Sequence, residues 1–422
     1  MHRSLRNGQL HSGVMGCALA ALLLAVNPLA SAADDELAYD IRLETALQHD
    51  DGNFLWYHPR AAAVPSAGNA GNVGPAVVMT LQRHLHVDDY YSGLFAMHRP
   101  TVDGPWKGPA AIPELAWRPA PNDVTLAVAD VTPGWHAPSQ RLLAIGCQVP
   151  YSPKGAQLIS GLPPRQHQTA YAVHDPRTGA WSGWQILDMP PDPKFELARN
   201  ACAQWLVRPD GALLLPIYFG PSAAGPWSVA VVECAFDGRQ LRYVRHGTEF
   251  DLNVERGLVE PSLIFFAGRY FLTMRNDQRG YVSSSDDGLN FEPMRPWTFD
   301  DGAELGSYNT QQHWLAHSDG LFLVYTRRGA NNDHIIRHRA PLFMAEVDPA
   351  TLQVLRRTER VVIPERGGEF GNFGAAAIDA NESWITVSEG VWDEAARQRG
   401  AKGATYVARI LWSKPNQLTP FP

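Results

Sequence analysis

The sequence predicts an all-β protein built as a β-propeller of six blades. Short runs rich in Val, Ile, Leu, Phe and Tyr, for example at 76–81, 262–266 and 321–325, alternate with turns rich in Gly, Pro and Asp. Helical periodicity is almost absent. Many short strands at regular spacing are typical of a sandwich, a barrel or a propeller.

A weak internal repeat favours the propeller among these folds. Residues 284–291 have the form S-x-D-x-G-x-x-F, in which Asp286 and Gly288 suit a tight hairpin and the aromatic residue can pack beneath it. Degenerate relatives of this turn contain Asp103, Asp175, Asp237 and Asp348. The aspartates recur about every 60 residues, which is the length of one four-stranded blade with its loops.

The ends of the predicted ring follow from the same spacing. The chain after its first segment has room for six blades, or for seven if the long interval between Asp103 and Asp175 holds an extra blade at 124–151. Residues 37–56 are expected to supply a strand that pairs with the last blade. Such closure removes exposed sheet edges, which promote aggregation.

Residues 1–32 are predicted to be a secretory signal peptide. Two arginines precede an apolar run at 17–26, and small residues at 30–32 form a cleavage site. The run is too short to span a bilayer, and no later stretch is long and uncharged enough to do so. We expect cleavage after Ala32 and a secreted or periplasmic protein with one propeller domain at 33–422. The alternative is a lipoprotein attached through Cys17.

Charge and cysteine content narrow the function. The net charge is −7 and the basic residues are scattered, which argues against a nucleic-acid surface. Cleavage leaves Cys147, Cys202 and Cys234, either as buried thiols or with a Cys202–Cys234 bridge. Their spacing fits no zinc motif, and His84 and His86 lack an evident third ligand. We therefore predict no metal or cofactor, and a monomer.

The strongest candidate site is the hairpin that contains Glu260 and Arg275. Glu260 precedes one apolar strand and Arg275 ends the return strand, so both are expected at the same end of the hairpin. A carboxylate that faces an arginine stays ionised, and arginine can bind a carboxylate ligand in bidentate fashion. Arg256, Asn276 and Asp277 flank the pair. The alternative is a salt bridge that only stabilises the blade.

Two further segments have the composition of a ligand-binding site. Tyr308, Gln312 and His313 precede a predicted strand, and a mixture of aromatic and amide side chains suits sugars. Arg337 and Arg339 belong to a loop rich in Arg and His, which is typical either of an anion-binding loop or of a solvated charged one.

His136 and Tyr151 are a candidate proton-transfer pair. His136 lies in a predicted loop and Tyr151 follows a predicted strand. A histidine and a tyrosine can act as base and acid. A single histidine is, however, more often structural than catalytic.

The order of Glu260, Arg275 and the 284–291 turn resembles that of the sialidase superfamily, whose blades carry Asp-box (BNR) repeats. The resemblance implies a sialidase-like propeller, three arginines that hold a substrate carboxylate, and a tyrosine nucleophile assisted by a glutamate. The first-strand arginine would be Arg60, although His58-Pro59-Arg60 departs from the R-I-P motif of the family. Where the tyrosine is expected, this chain has Phe373, which cannot act as a nucleophile.

We therefore expect an exported enzyme that binds a glycan or oligosaccharide and cleaves a terminal acidic sugar, as an exo-sialidase-like glycoside hydrolase. Arg275 and Arg60 would bind the sugar carboxylate, Glu260 would assist, and water or another tyrosine would attack. One alternative is a polysaccharide lyase or rhamnosidase-like enzyme acting on uronate-containing glycans, with His136 or Tyr151 as base. The other is a non-catalytic glycan-binding propeller.

Overall fold

The computed structural model describes residues 37–66, 74–87, 89–158, 167–222, 225–419 and 421. The predicted signal peptide at 1–32 lies outside them. The described residues from Leu37 onward form one compact unit of six antiparallel sheets, arranged as the blades of a propeller. The predictions of an all-β fold and of six blades are confirmed. No helix in this part of the chain is long and apolar enough to cross a membrane.

The first strand of the chain belongs to the last blade, and blade 1 follows it. This part consists of β1 (Tyr39–Gln48) and then, in blade 1, β2 (Leu55–Val64), β3 (Ala76–His84), β4 (Tyr91–Arg99) and β5 (Lys107–Ala111). Blade 2 contains β6 (Arg118–Ala120), β7 (Val124–His136), β8 (Arg141–Tyr151), β9 (Thr169–Asp175), β10 (Ala180–Trp181) and β11 (Gln185–Ile186). Residues 124–151 thus form β7 and β8 of blade 2, so the alternative of a seventh blade is wrong.

In blade 3 the innermost strand is split into two short pieces. The blade contains β12 (Leu197–Arg199), β13 (Leu206–Val207), β14 (Leu213–Gly220), β15 (Ser228–Phe236) and β16 (Leu241–His246), and both β12 and β13 pair with β14. Blade 4 has four strands, β17 (Val259–Phe266), β18 (Arg269–Arg275), β19 (Gly280–Ser285) and β20 (Arg295–Pro296).

Blade 5 contains β21 (His313–His317), β22 (Gly320–Tyr325), β23 (Leu342–Asp348), β24 (Gln353–Val354) and β25 (Arg360–Ile363). Blade 6 contains β26 (Gly374–Ala377), β27 (Glu382–Ser388), β28 (Ala404–Trp412) and the strand β1. One α-helix, α1 (Glu394–Arg399), lies between β27 and β28 in the described chain. Short 3₁₀ turns lie at Pro113–Leu115, Ala137–Ser139, Pro193–Phe195, Ile336–His338 and Arg356–Thr358.

The predicted turn aspartates occupy one equivalent place in the blades, the turn that leads from the third strand to the fourth. In blade 4 the residue that anchors this turn is Asp287, whose Oδ1 accepts hydrogen bonds from the backbone N–H groups of Leu289 (2.8 Å) and Asn290 (2.7 Å). Asp286, which the sequence favoured, points outward with its side chain 87% exposed and pairs with Arg269. Side chains alternate in direction along a strand, so a shift of one residue exchanges inside for outside.

The ring closes between the first and last strands, as predicted. β1 pairs antiparallel with β28 from Tyr39 opposite Trp412 to Gln48 opposite Ala404. Tyr39, Ile41 and Leu43 pack against the apolar core shared by blades 5 and 6.

Charged side chains reinforce this closure. Arg409 on β28 makes a bidentate contact with Glu382, at 2.6 Å for each of two N–O pairs, and also contacts Glu44 of β1 at 3.1 Å. Glu44 in turn accepts a hydrogen bond from Arg99 of blade 1 at 2.8 Å. Asp103, in the outer turn of blade 1, lies 2.7 Å from Arg409. The network therefore joins blade 6, β1 and blade 1.

The three described cysteines are free and buried, so the alternative of a Cys202–Cys234 disulfide is wrong. Cys202 lies in the gap between β12 and β13 and has a left-handed backbone conformation (φ 53°). Cys234 lies on β15 and packs in the apolar core of blades 2 and 3. Cys202 lines a cavity at the axis, whereas Cys234 faces the interior of a blade.

We predict that Arg409→Ala strongly destabilises the protein. Glu382, which is 4% exposed, would keep its charge in the interior without its bidentate partner. Breaking a buried ion pair from one side typically costs about 3–5 kcal/mol, and we expect a loss of that size in the free energy of unfolding, measured by urea denaturation. The matched control is Arg42→Ala, since Arg42 is 62% exposed and lies 3.6 Å from Glu44. The control should change stability by no more than about 0.5 kcal/mol, and equal losses in the two variants would contradict the prediction.

Candidate functional site

A residue with left-handed backbone interrupts the innermost strand in each of blades 1 to 4. These residues are His58 (φ 53°), Asp130 (φ 58°), Cys202 (φ 53°) and Glu260 (φ 47°). The pairing with the neighbouring strand shifts register at His58, Asp130 and Glu260. Cys202 lies in the gap between β12 and β13. Left-handed non-glycine residues cost on the order of 1–3 kcal/mol and bulges redirect side chains, so such positions mark a candidate functional site.

The redirected side chains and neighbouring loops line a cavity of about 400 Å³. Its wall combines many ionisable groups with aromatic rings. The arginines are Arg199, Arg256, Arg275, Arg337 and Arg339, the carboxylates are Asp89, Asp130, Glu260 and Glu369, and the larger aromatic residues are Tyr57, Tyr91, Tyr218 and Trp392. A concave site with converging charged groups and aromatic rings is suited to a small polar ligand.

Glu260 and Arg275 form the ion pair that the hairpin predicts. Arg275 Nη1 lies 2.6 Å from each carboxylate oxygen of Glu260, and Nη2 donates to Asp277 (3.1 Å) and Asn309 (2.9 Å). Burial, the largest single cause, would raise the pKa of Glu260, but the charges of Arg275, Arg256 and Arg339 and the hydrogen bond from Arg275 together hold that pKa below its ordinary value. Both terminal nitrogens of Arg275 are thus engaged by the protein itself.

Tyr57 and Glu369 form a second pair, which joins the first blade to the last. The Tyr57 hydroxyl donates to Glu369 Oε1 at 2.6 Å, although the two residues are 312 positions apart in the chain. The other carboxylate oxygen of Glu369 lies 3.4 Å from Arg339 Nη1. Burial, and then the charge of Glu369, raise the pKa of Tyr57 well above its ordinary value. The tyrosine is therefore a neutral phenol that donates a hydrogen bond to the Glu369 carboxylate.

Asp130 contacts a histidine and a cysteine and no arginine among the described residues. His58 Nε2 lies 3.1 Å from Asp130 Oδ1, and the Cys202 thiol donates to the same oxygen at 3.3 Å. The Asp130 side chain remains 22% exposed, toward the cavity. Burial raises the pKa of this carboxyl above its usual value, against the opposing charge of Arg60.

Two arginines of the cavity wall have no carboxylate partner among the described residues. The buried Arg199 donates to His167 Nδ1 and lies over the ring of Trp227, 5.1 Å from its centroid. Arg337 is exposed and has a left-handed backbone (φ 55°). By contrast, Arg256 lies 3.3 Å from Asp277, and Arg339 lies 3.4 Å from Glu369. Arg199 and Arg337 are therefore the cations most available to an anionic ligand.

The structure places the three other predicted residues of proton transfer and carboxylate binding away from this cavity. Arg60 is 1% exposed and lines a second, more apolar cavity of about 780 Å³, farther along the inner strands. His136 ends β7, where its ring contacts Ser139 Oγ (2.7 Å) and Gly211 O (2.9 Å). The Tyr151 hydroxyl donates to Asp89 O at 2.9 Å and supports the wall from behind.

The remaining predicted residues hold the scaffold together. Asn276 donates to Gly257 O at 2.6 Å, and Asp277 holds two arginines without lining the cavity. Gln312 is fully buried and binds Thr273 and Ser307, while His313 binds Ser262 Oγ at 2.8 Å. Tyr308 pairs with His338 outside the cavity wall. Of the predicted residues, Arg256, Glu260, Arg275, Arg337 and Arg339 are thus the ones that the structure brings to the cavity.

Sequence reasoning missed Tyr57, Asp130, Arg199 and Glu369, which lie on or near the inner strands of four different blades. None belongs to a local motif. One signal was present: Tyr57 directly precedes the His58-Pro59-Arg60 segment. In the segment where a tyrosine was sought, Glu369 and Asn372 reach the cavity, whereas Phe373 packs in the core.

No known family profile matches the chain, and no curated protein is detectably similar to it. Solved structures, however, superpose on it. A protein of unknown function from Dyadobacter fermentans has a TM-score of 0.61 at 13% identity, over 88% of this chain and 99% of that one. A Trypanosoma rangeli sialidase in complex with sialic acid has a TM-score of 0.57 at 12% identity, over 89% and 59%. The chain has the six-bladed fold of the sialidases.

A Streptococcus pneumoniae sialidase gives a similar result, with a TM-score of 0.56 at 9% identity over 88% of this chain and 70% of that one. Likeness at such low identity concerns the fold. The chain spans about three-fifths of the length of the Trypanosoma rangeli sialidases that it matches. The chemistry of this sialidase-like propeller must therefore be argued from its own residues.

We predict a pH-dependent loss of stability for Glu260→Gln. Since the folded-state pKa of Glu260 is lowered, its ionised form stabilises the fold above the unfolded pKa of about 4.3, and this contribution disappears as pH falls through the folded value. At pH 7 the free energy of unfolding of the variant should fall by about 2–3 kcal/mol. The loss is limited because Arg275 keeps Asp277 as a partner.

Urea denaturation between pH 3 and pH 7 would measure this dependence, and the two proteins should converge at the acidic end. The control is Asp286→Asn, since the Asp286 side chain is 87% exposed. A loss for Glu260→Gln that is independent of pH would contradict the prediction.

Proposed function

We propose that this protein is an exported glycoside hydrolase that removes a terminal acidic sugar from a glycan. The observation that carries the proposal is the Tyr57–Glu369 hydrogen bond in a cavity lined by arginines. The predicted signal peptide supports export, and the sialidase-like fold is compatible with glycan chemistry.

Tyr57 acts as the nucleophile in this scheme. Its oxygen attacks the anomeric carbon while its proton passes to Glu369, and the glycosidic bond breaks through an oxocarbenium-like transition state. A neutral phenol is a weak nucleophile, so the attack depends on the carboxylate 2.6 Å away. Water then cleaves the tyrosyl–sugar bond, and the proton returns from Glu369 to Tyr57. Arg339 holds the second carboxylate oxygen and keeps Glu369 oriented.

In this scheme Asp130 protonates the leaving oxygen, and its carboxylate then accepts the proton that the attacking water loses. It faces the cavity, and no arginine pairs with it among the described residues, unlike Glu260 and Glu369. Glu260 is then a positioning residue, because its contact with Arg275 fixes one wall of the cavity. This assignment differs from the sequence hypothesis, in which Glu260 assisted the reaction directly.

The sugar carboxylate is assigned to Arg199 and Arg337. Both line the cavity without a carboxylate partner in the described chain, whereas the two terminal nitrogens of Arg275 are engaged and Arg60 lies outside the wall. Trp392, with 41% of its surface exposed at the rim, offers an aromatic face for a sugar ring.

We predict that Tyr57→Phe and Glu369→Gln each lower turnover by at least about 10³-fold, since nucleophile and base act as one unit. The measurement is release of a fluorescent aglycone from glycosides of several acidic sugars. Tyr308→Phe is the matched control, because this tyrosine lies outside the cavity wall. A rise in absorbance of unsaturated uronate, without free sugar, would replace the proposal by the lyase alternative.

We also predict that Arg199→Ala weakens kcat/KM for the acidic sugar selectively. Loss of one charged hydrogen-bond partner typically costs about 1.5–3 kcal/mol, which corresponds to roughly 10–150-fold. Cleavage of the matched neutral glycoside should change little, and the exposed Arg239→Ala should leave both substrates unaffected. An equal loss of kcat/KM for both substrates would show that Arg199 supports the fold and does not bind the sugar carboxylate.

A further inference from the structure

Three side chains with metal-ligating atoms meet beside the cavity, and two of them line it. They are His58 of blade 1, Asp130 of blade 2 and Cys202 of blade 3, and one ligand atom from each lies within 4.8 Å of the others. Each sits at the left-handed interruption of its inner strand. The sequence predicted no metal site because these residues are far apart in the chain and follow no zinc spacing.

The separations suit a small tetrahedral ion. Zinc bonds of about 2.0–2.3 Å place neighbouring ligand atoms roughly 3.4–3.6 Å apart. Asp130 Oδ1 lies 3.1 Å from His58 Nε2 and 3.3 Å from Cys202 Sγ. These two separations lie within a few tenths of an ångström of the tetrahedral values, and the third side of the triangle, from His58 to Cys202, is at most 4.8 Å.

The surroundings of the triangle also resemble those of a metal site. The His58 side chain is 2% exposed, and its Nδ1 is buried without a hydrogen-bond partner among the described residues. A second thiol, Cys147 Sγ, lies 4.0 Å from Asp130 Oδ2. Asp130 and Cys202 line the cavity, so the fourth position of an ion would open into it.

We propose that His58, Asp130 and Cys202 form a zinc site with three protein ligands and one position open to the cavity. Nitrogen, carboxylate oxygen and thiolate sulfur are together the donors that zinc accepts. A closed structural site would have four protein ligands, whereas an open position lets the ion exchange water for a ligand in the cavity.

Charged side chains of both signs act on the triangle. Arg60 opposes a cation there, and the carboxylate of Glu260 favours it; both act on His58, Asp130 and Cys202. Zinc with one carboxylate, one thiolate and a neutral imidazole is itself neutral. The two positive charges of the ion would cancel the carboxylate of Asp130 and the thiolate of Cys202, and the proton of the Cys202 thiol would be released to solvent.

Zinc binding would compete with hydrolysis, a consequence that rests on the proposed function. With the ion bound, Asp130 is a ligand and cannot protonate a leaving group. The free site is then the hydrolytic form and the zinc-loaded site the inhibited one. The binding test below uses no substrate, so its failure and the failure of the proposed hydrolysis can be told apart.

The test is metal binding by the full chain from residue 33 onward. The protein is stripped with a chelator, titrated with zinc or cobalt(II), and analysed by elemental mass spectrometry and absorption spectroscopy. We expect one ion per chain and, with cobalt, a thiolate-to-metal charge-transfer band together with the visible bands of a tetrahedral ion. Absence of stoichiometric binding, or bands without the thiolate transition, would overturn the proposal.

Variants assign the ligands. Cys202→Ser should abolish the charge-transfer band and weaken zinc binding by more than the roughly 10–100-fold that loss of an outer partner causes, and His58→Gln should weaken it similarly. Cys234→Ser, a buried cysteine inside a blade, and His84→Gln, a histidine of the same cavity, should bind as the wild type does. Thermal unfolding checks that each variant is folded. A band retained in Cys202→Ser, or lost in Cys234→Ser, would contradict the assignment.

Discussion

The pairing of β1 with β28 is the contact on which the rest of the molecule depends. It joins the start of the described chain to its last blade, where β1 covers the edge of β28 as the outermost strand. The Tyr57–Glu369 hydrogen bond spans the same junction, because Tyr57 belongs to blade 1 and Glu369 directly precedes blade 6. Without closure the two side chains would have no reason to meet. Ring closure is therefore a condition for the site as well as for the fold.

The interruptions of the inner strands destabilise the backbone locally and direct polar side chains to the axis. Regular strands would turn alternate side chains into the blades, and the axis would be lined mainly with apolar residues, as in the second cavity. Left-handed residues at His58, Asp130, Cys202 and Glu260 break that regularity and aim polar groups at the axis. Gln204 compensates in part, since its amide binds the backbone of Trp314 and Ala375 and so ties blade 3 to blades 5 and 6.

The electrostatics of the cavity separate groups that maintain structure from groups available to a ligand. Arg275 and Glu260 neutralise each other, and Arg256 shares Asp277 with Arg275. The protein thereby lowers the cost of burying these charges, which unpaired would be several kcal/mol each. Arg199 and Arg337 remain without carboxylate partners in the described residues, so the wall presents an excess of positive charge to a ligand. An acidic sugar would supply the missing partner.

The sequence alone determined the features that depend on residues close together in the chain, namely the strands, the hairpins and the contacts within one hairpin. Alternating apolar runs and turn aspartates such as Asp175 and Asp348 specify strands and hairpins locally, and their spacing gave the blades. Glu260 and Arg275 were correctly expected to meet because one hairpin holds both. The tertiary structure alone decided that Tyr57 meets Glu369 and that His58, Asp130 and Cys202 converge. Those contacts join different blades through ring closure and left-handed bulges, and neither leaves a periodic signal in the sequence: a bulge is stabilised by packing from other blades, not by the residues on either side of it.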